Sequence, residues 1–498
     1  MVMKHVLFPI NDILCFLELE PYNNPPTLGS NSCTNQMNIM EYSHINTSFL
    51  FLALLFVITI ILFKTKKGVI NLPPGSFGWP FIGETLEFLD SLRQGSTEKF
   101  IKERTEKYSS QVFKTSLLGE PMAVLSGTAG NKFLFSNENK MVTLWWPASV
   151  RKLLGKCLTT TGREQGMHMR KTLSYFVSPD AFSKLYIRTM DLVSRQHLDA
   201  QWQGKEELKV FPAMKQYTFE LACRLFMSIH DPSTIEKLAA LFRVFLGGVI
   251  SIPLDFPGTK FYYAKKATVA IKKELKIIIR QRSKDLEQKT ASPSQDLLSH
   301  LLVTPDESGK FMSESVIVNN ILMLLFAGHD TSSCLLTMLI KVLAQHPQVY
   351  EEVLREQNEI VASKDPGEFL QWEDIQKMKY SWNVVCETTR LWPPITGGFR
   401  EALVDINYED SSLFRDEKKF DPTRFDNCSA IPYSFVPFGG GPRMCLGKEF
   451  ARLEILTFLH NLIPRFRWDI LIPEERIICD PIPTPEKGLP VRICSHQQ

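Results

Sequence analysis

The sequence predicts a mainly α-helical protein with minor β-structure, and three observations carry that prediction. From about Leu86 onward apolar residues recur at helical spacing. The run from Ser313 to His346 is apolar almost all round and long enough to cross a whole domain, which marks a central, buried helix. Stretches rich in β-branched residues, such as the one near Ala123, are short and scattered. No low-complexity linker interrupts the chain from Leu86 to Cys445 and no repeat of fixed period is present, so one large domain over residues 81–498 is expected.

Taken in order, residues 1–44 read as an unstructured extension. "VLFPINDILCFLELE" is partly apolar but broken by Pro9, Asn11 and Asp12. Residues 45–67 read as a single transmembrane anchor: Phe49 to Phe63 is apolar except at Thr59, and Lys64, Lys66 and Lys67 follow at once. Fifteen residues make about 23 Å of helix, and flanking residues from Ile45 with snorkelling lysines cover the rest of a bilayer core. Basic residues on the C-terminal flank predict a lumenal N-terminus and a cytosolic domain. Residues 68–80 hold Pro73, Pro74, Gly75 and Gly78, which make a stiff hinge. Further on, "KKATVAIKKELKIIIRQRSK" places Ile271, Leu275, Ile278 and Ile279 on one face and lysines on the other, an amphipathic surface helix.

Composition excludes several functions. In a chain of 498 residues the formal net charge is only +3, with lysines and arginines interleaved among acids, so no nucleic-acid surface is expected. The ten cysteines include no C-x-x-C pair and no Cys/His zinc spacing, which fits a reducing compartment. No G-x-S-x-G elbow and no phosphate-binding loop occur.

Four stretches carry chemistry. In the middle of the central helix, "AGHDTSS" sets Gly328 and Thr331 three residues apart on one face, where a small residue and a hydroxyl can admit a ligand or water. In "ETTRLWPP", Glu387 and Arg390 stand at i and i+3 on a helix that Pro393 and Pro394 end. "FDPTRF" contributes Arg424. "PFGGGPRMCLGKE" places Cys445 alone in a glycine-rich loop just before a helical run.

Together these stretches resemble the cytochrome P-450 family. The order A-G-x-D-T, E-x-x-R, F-x-P-x-R-F and F-x-x-G-x-R-x-C-x-G is matched by Ala327, Gly328, Asp330 and Thr331; by Glu387 and Arg390; by Phe420, Pro422, Arg424 and Phe425; and by Phe438, Gly441, Arg443, Cys445 and Gly447. The resemblance implies the P-450 fold and a haem b whose iron takes the Cys445 thiolate. Arg443 is implied as a propionate partner, with Arg400 and Arg170 as further candidates. Thr331 with Asp330 is implied in proton delivery, and Glu387, Arg390 and Arg424 as a buried triad bracing the cysteine loop. It further implies an NADPH-cytochrome P-450 reductase as partner and a place in the endoplasmic reticulum membrane. His329, between Gly328 and Asp330, reads as a helix residue rather than an iron ligand.

The chain departs from the family at two places. Gly166 stands four residues before Arg170, where Trp or His is usual. Between Ala402 and Phe420 the family places a strand, a Pro-x-Gly turn and a second strand, yet no Gly or Pro occurs between Asp405 and Phe420. A hairpin around 405–415 is therefore expected to be missing, with an open strand edge left behind. Stretches such as "YTFELACRLFMSI" and "PPITGGFREA" resemble the plant subgroup that oxidises pentacyclic triterpenes, such as β-amyrin at C-28, with taxane hydroxylases as relatives. Trp145, Trp146, Leu325, Ala327, Gly328 and Ile395 are expected to line an apolar substrate pocket. The alternatives are an internally truncated, haem-deficient product without activity, and a taxane or sterol hydroxylase.

Overall fold

The computed structural model describes residues 5–7, 54–56, 72–80, 82–95, 97–117, 119–174, 178, 181–305, 309–395, 397–406, 420, 432–479 and 482–496. Arg424, Pro422, Phe425 and the stretch 407–419 lie outside these residues. Of the apolar run ahead of the hinge, Leu54 to Phe56 are described, and they are helical and exposed.

The 32-residue helix Glu314–Gln345 runs through the middle of the molecule, about 48 Å long. Among the described residues it is the one helix long and apolar enough to cross a membrane. Since 72% of its apolar window is buried inside the protein, it is a core helix. Around it pack Val210–Met227, Lys260–Glu287 and Lys448–Leu462. Side-chain caps fix where neighbouring helices begin. Asp231 accepts from the Thr234 N–H ahead of Pro232, Thr259 accepts from Tyr262, and Asp296 accepts from Ser299. The main apolar core lies among these helices, and a smaller one joins Phe88, Phe100, Phe113, Trp145 and Phe399 against a sheet.

That sheet has five strands in the order β2-β3-β1-β6-β4. They are β1 (His5–Leu7), β2 (Val112–Leu117), β3 (Glu120–Leu125), β4 (Val142–Leu144) and β6 (Phe399–Ala402). β2 and β3 form an antiparallel hairpin, and β4 lies antiparallel to β6. Between β3 and β6 stands β1, parallel to the first and antiparallel to the second. β6, just before the stretch around 403–408 where an open edge is expected, is paired on both sides, and its inner partner comes from the far end of the chain. Two smaller sheets complete the β-structure, one of Glu207–Lys209, Pro490–Ser495 and Phe466–Ile470, the other a pair of Ile477–Cys479 and Pro483–Pro485. The seven described cysteines form no disulfide.

Candidate active site

The cysteine loop is shaped by backbone contacts. Gly441 has φ +64°, and a Cβ there would lie 2.3 Å from the Phe135 carbonyl oxygen; at Gly440 it would lie 2.8 Å from the Phe135 ring. Only glycine lets the loop close on Phe135. A short 3₁₀ turn over Gly441–Arg443 follows, and the Cys445 N–H donates to the Phe438 carbonyl at 2.8 Å. The chain then enters the helix Lys448–Leu462 through Gly447, whose N–H donates to the Cys445 sulfur.

Cys445 is accessible, yet desolvation raises its thiol pKa, so it sits at the bottom of a recess rather than on an outer surface. The Gly447 N–H and the positive charge of Arg170 act in the opposite direction and favour the thiolate. Arg170, on the helix Arg163–Ser174, donates to the Met444 carbonyl at 2.5 Å. The Arg443 guanidinium lies over Gly166, where a Cβ would come within 2.9 Å of Nη1. This accounts for the small residue four places before Arg170: a larger side chain would compete with Arg443 for the same space.

Arg400, on β6, donates from Nε to Glu138 at 2.5 Å, and both side chains are buried. Arg443 is near enough to feel both of their charges. Burial lowers its pKa most, Glu138 raises it and Arg400 lowers it. Its Nε is buried without a hydrogen-bond partner among the described residues. Three guanidinium groups thus gather beside an accessible thiol, with Arg400 matched by Glu138 and one buried N–H on Arg443 still unsatisfied. A thiolate-ligated porphyrin carrying two carboxylates fits this donor set.

The central helix forms the other side. Most of its length is buried, but Leu324, Gly328 and Thr331 are half-buried and Ala327 is exposed. Their spacing of i, i+3, i+4 and i+7 puts them on one face. The Thr331 hydroxyl donates to the Ala327 carbonyl at 2.7 Å. Asp330 points elsewhere, buried in an ion-pair contact of 2.8 Å with Lys215, whose side chain reaches solvent. His329 packs edge-on against Phe219 and shares a hydrogen bond of 2.8 Å between Nδ1 and the Leu325 carbonyl; burial lowers its pKa, so it is a neutral core residue. The two halves meet where Ser332 hydrogen-bonds Glu454, and where Phe226, beside Gly328, packs on Phe450 at 5.6 Å.

On the helix Lys379–Leu391, Arg390 holds Glu387 with two bonds, Nε to Oε2 at 2.7 Å and Nη2 to Oε1 at 2.8 Å, and Glu387 is fully buried.

The cytochrome P450 family model matches residues 73–411 and 407–489. The chain is a cytochrome P450. It is 52% identical over 446 residues to a beta-amyrin 28-monooxygenase of Vitis vinifera, covering 86% of this chain and 93% of that one. To a beta-amyrin 28-monooxygenase of Medicago truncatula it is 49% identical, over 90% of this chain and 99% of the other. To a beta-amyrin 16-beta-monooxygenase of Platycodon grandiflorus it is 45% identical, again over 90% and 99%. Among solved structures, cyanobacterial CYP120A1 with retinoic acid bound superposes with a TM-score of 0.77 at 33% identity, covering 86% of this chain and all of that one. This P450 is accordingly a monooxygenase, an oxidoreductase whose family works with a haem-thiolate iron and electrons from a reductase.

Two residues expected in the pocket are packed in the apolar cores. Leu325 is fully buried in the main core, on the face of the central helix away from Thr331, and Trp145 packs edge-on against Phe399 in the smaller core. Trp146 is half-buried, its indole N–H without a partner among the described residues, and Ile395 is exposed. Leu324 rather than Leu325 shares the half-buried face with Gly328 and Thr331, as stepping back by helical period from Thr331 shows. Phe135, Glu138 and Lys215 had no sequence signal, because each acts through a contact far along the chain.

Proposed function

We propose that this P450 oxidises a pentacyclic triterpene of the β-amyrin type, with C-28 as the position attacked. The substrate and carbon follow the relatives named above; the chemistry rests on the accessible Cys445 thiol, which takes a Gly447 N–H and stands among Arg170, Arg400 and Arg443. The reaction consumes the C–H substrate, O2, two electrons and two protons, and yields the alcohol and water. NADPH supplies the electrons through a cytochrome P-450 reductase. The bound haem b supplies the one-electron and oxygen chemistry.

The protein's own residues bind, orient and carry protons. Cys445 is the iron ligand, held by the loop that Phe438 and Gly441 shape. Arg443, with Arg170, takes the haem carboxylates, and Arg400 keeps Glu138 matched so that the site stays positive. Thr331 holds a proton at the open face of the central helix. Asp330, held by Lys215 and through it near solvent, would restore it only by turning from that ion pair towards Thr331. Glu387 and Arg390, with Arg424, brace the loop from behind. Leu324, Ala327, Gly328, Trp146 and Ile395 present an apolar surface to a flat hydrocarbon. Attachment to the endoplasmic reticulum membrane through Phe49–Phe63 suits such a substrate, and Trp79 and Leu86, after the hinge begins, are exposed at 70% and 61%.

Yeast expressing the protein with a plant reductase and fed β-amyrin, α-amyrin and lupeol is expected to yield C-28 oxidised products. Cys445→Ser is expected to lose both products and the red-shifted Soret band of the reduced, carbon monoxide-treated protein. If the band forms but all three triterpenes return unchanged, the substrate belongs to the taxane or sterol class. If no band forms from well-expressed protein, the short stretch 403–419 marks a haem-deficient product.

A further inference from the structure

Two polar groups just past β4 are shut away from water with nothing to bond. The Trp146 Nε1–H and the Ser149 hydroxyl have no hydrogen-bond partner among the described residues, and Ser149 is 1% exposed. A buried donor or acceptor left in this way costs free energy until something comes to meet it. Elsewhere in the protein, hydroxyls on helices avoid that cost by donating to the carbonyl four residues back: Thr218 to Met214, Thr268 to Ala264, Thr337 to Ser333 and Thr388 to Val384. Ser149 stands in the first turn of the helix Ala148–Leu154, so the carbonyl four places back belongs to Trp145, outside the helix.

Their neighbours place the two groups beside the site. Leu144, at the end of β4, stands opposite Arg400, and the next N–H, of Trp145, donates to the Phe399 carbonyl at 3.3 Å. Alternate residues of an extended stretch face opposite ways, so Trp145 enters the smaller core and Trp146 turns towards the helices, where it packs against the main core as well. Ser149 shares the buried face of its helix with Leu153, which belongs to the main core. Beyond that helix, the Leu158 N–H donates to Asn320 Oδ1 at 3.0 Å, and Asn319 Nδ2 donates to the Lys156 carbonyl at 3.2 Å. Asn320 is one turn ahead of Leu324, which begins the open face of the central helix. The segment from Leu144 to Leu158 thus bridges from the partner strand of Arg400 to the central helix, and Trp146 and Ser149 lie within the bridge.

An indole N–H only donates, and a serine hydroxyl donates or accepts. A ligand hydroxyl complements both, since its oxygen accepts from Trp146 while it exchanges a second bond with Ser149. The cations next in the chain, Arg151 and Lys152, are on the exposed face of the helix, so a neutral group suits the pair better than a carboxylate. A triterpene of the β-amyrin type carries one polar group, the C-3 hydroxyl, at the other end of the ring system from C-28. We propose that Trp146 and Ser149 receive this hydroxyl and so fix which end of the flat hydrocarbon is oxidised. The proposal rests on the triterpene reading above and deepens it. Leu324, Ala327, Gly328 and Ile395 are apolar and do not tell one end of a hydrocarbon from the other, whereas a site built to bond a hydroxyl rejects an analogue that lacks it, because its own buried groups then stay unpaired.

The test uses the full-length, haem-loaded protein with β-amyrin and with its 3-deoxy hydrocarbon, olean-12-ene, and reads binding from the Soret shift that each ligand induces. Trp146→Phe keeps an aromatic ring without the N–H, and Ser149→Ala removes the hydroxyl alone. Each variant is expected to bind β-amyrin roughly 3- to 10-fold more weakly, the loss of one hydrogen bond, and to bind the hydrocarbon as the wild type does. Oxidation of β-amyrin should then spread from one carbon to several. Ligand-free Ser149→Ala is expected to melt no lower than the wild type, because it removes an unpaired buried hydroxyl. A lower melting temperature would show that the hydroxyl has a partner within the fold, and would overturn the proposal. Equal weakening for both ligands, or none for β-amyrin, would overturn it too. If the wild type binds neither ligand, the triterpene reading falls and this one with it; if it binds and oxidises both equally well, this one alone falls.

Discussion

Gly441 shapes the cysteine loop and Leu325 fills the core on the far face of the central helix, and one methyl group has opposite meanings at the two. At Gly441 there is no room for a Cβ, because the Phe135 carbonyl oxygen already occupies its place at 2.3 Å. At Leu325 the side chain fills the core completely, and removing carbon leaves a hole. The cysteine loop is specified by backbone conformation, the central helix by which face each residue takes. The largest expected effect therefore belongs to the loop. Gly441→Ala combines a left-handed φ, costing about 1 kcal/mol or more, with a backbone collision that only a shift of the loop relieves. The shift displaces Arg443 and Cys445, so the variant should be made in normal amount yet show less than about a tenth of the thiolate-haem absorbance. Normal absorbance would show that the loop is held by its ligand rather than by Phe135.

The helix side of the comparison gives a smaller, two-part expectation. Leu325→Ala should lower stability by about 2 to 5 kcal/mol and leave the product pattern unchanged, because it opens a cavity on the core face. Leu324→Ala, one residue earlier and half-buried, should cost less than half as much and change which products form. Thermal melts and product profiles from the same two preparations decide the matter; a shifted profile from Leu325→Ala would mean that the helix rotates when the site is loaded.

How much was legible in the sequence follows from the same contrast. The glycines, Arg443 and Cys445 lie within one loop, and the Glu387–Arg390 pair within one helix turn, so local pattern was enough to find them. Thr331 and Gly328 were placed on a common face by period alone. The same period puts Leu324, not Leu325, on that face, a distinction that position along the chain alone does not make. Gly166 read as a departure because Arg443, which occupies its space, comes from another element. The strand at His5–Leu7 was read as part of an unstructured extension for a stronger reason: three residues have no pattern of their own, and their fold lies entirely in the two edges that receive them. Arg424 is outside the described residues, and its place in the triad remains a reading of sequence.

The smallest expected effect lies at the seam between the two halves. Glu454, on the helix that follows the cysteine loop, is buried against the central helix with Ser332 as partner, and its Oε2 has no partner among the described residues. Burial pushes its pKa up to about 8 from 4.5, so the folded protein holds a proton there that the unfolded chain releases. Its contribution is fully present below pH 4.5 and is lost as pH rises through 8. His197 and His460 act in the other direction, since burial lowers each from 6.5 to about 4. They destabilise the fold as pH falls from 6.5 towards 4, where the unfolded chain binds protons that the folded one does not. From these three groups stability should thus peak at about pH 6.5, with histidines shaping the acid limb and Glu454 the alkaline one. Glu454→Gln keeps the shape of the neutral acid and removes the titration. Its melting temperature should stop falling between about pH 6.5 and 8 while the acid limb is unchanged, and an alkaline limb as steep as before would mean that Glu454 stays ionised at the seam and that another group titrates there.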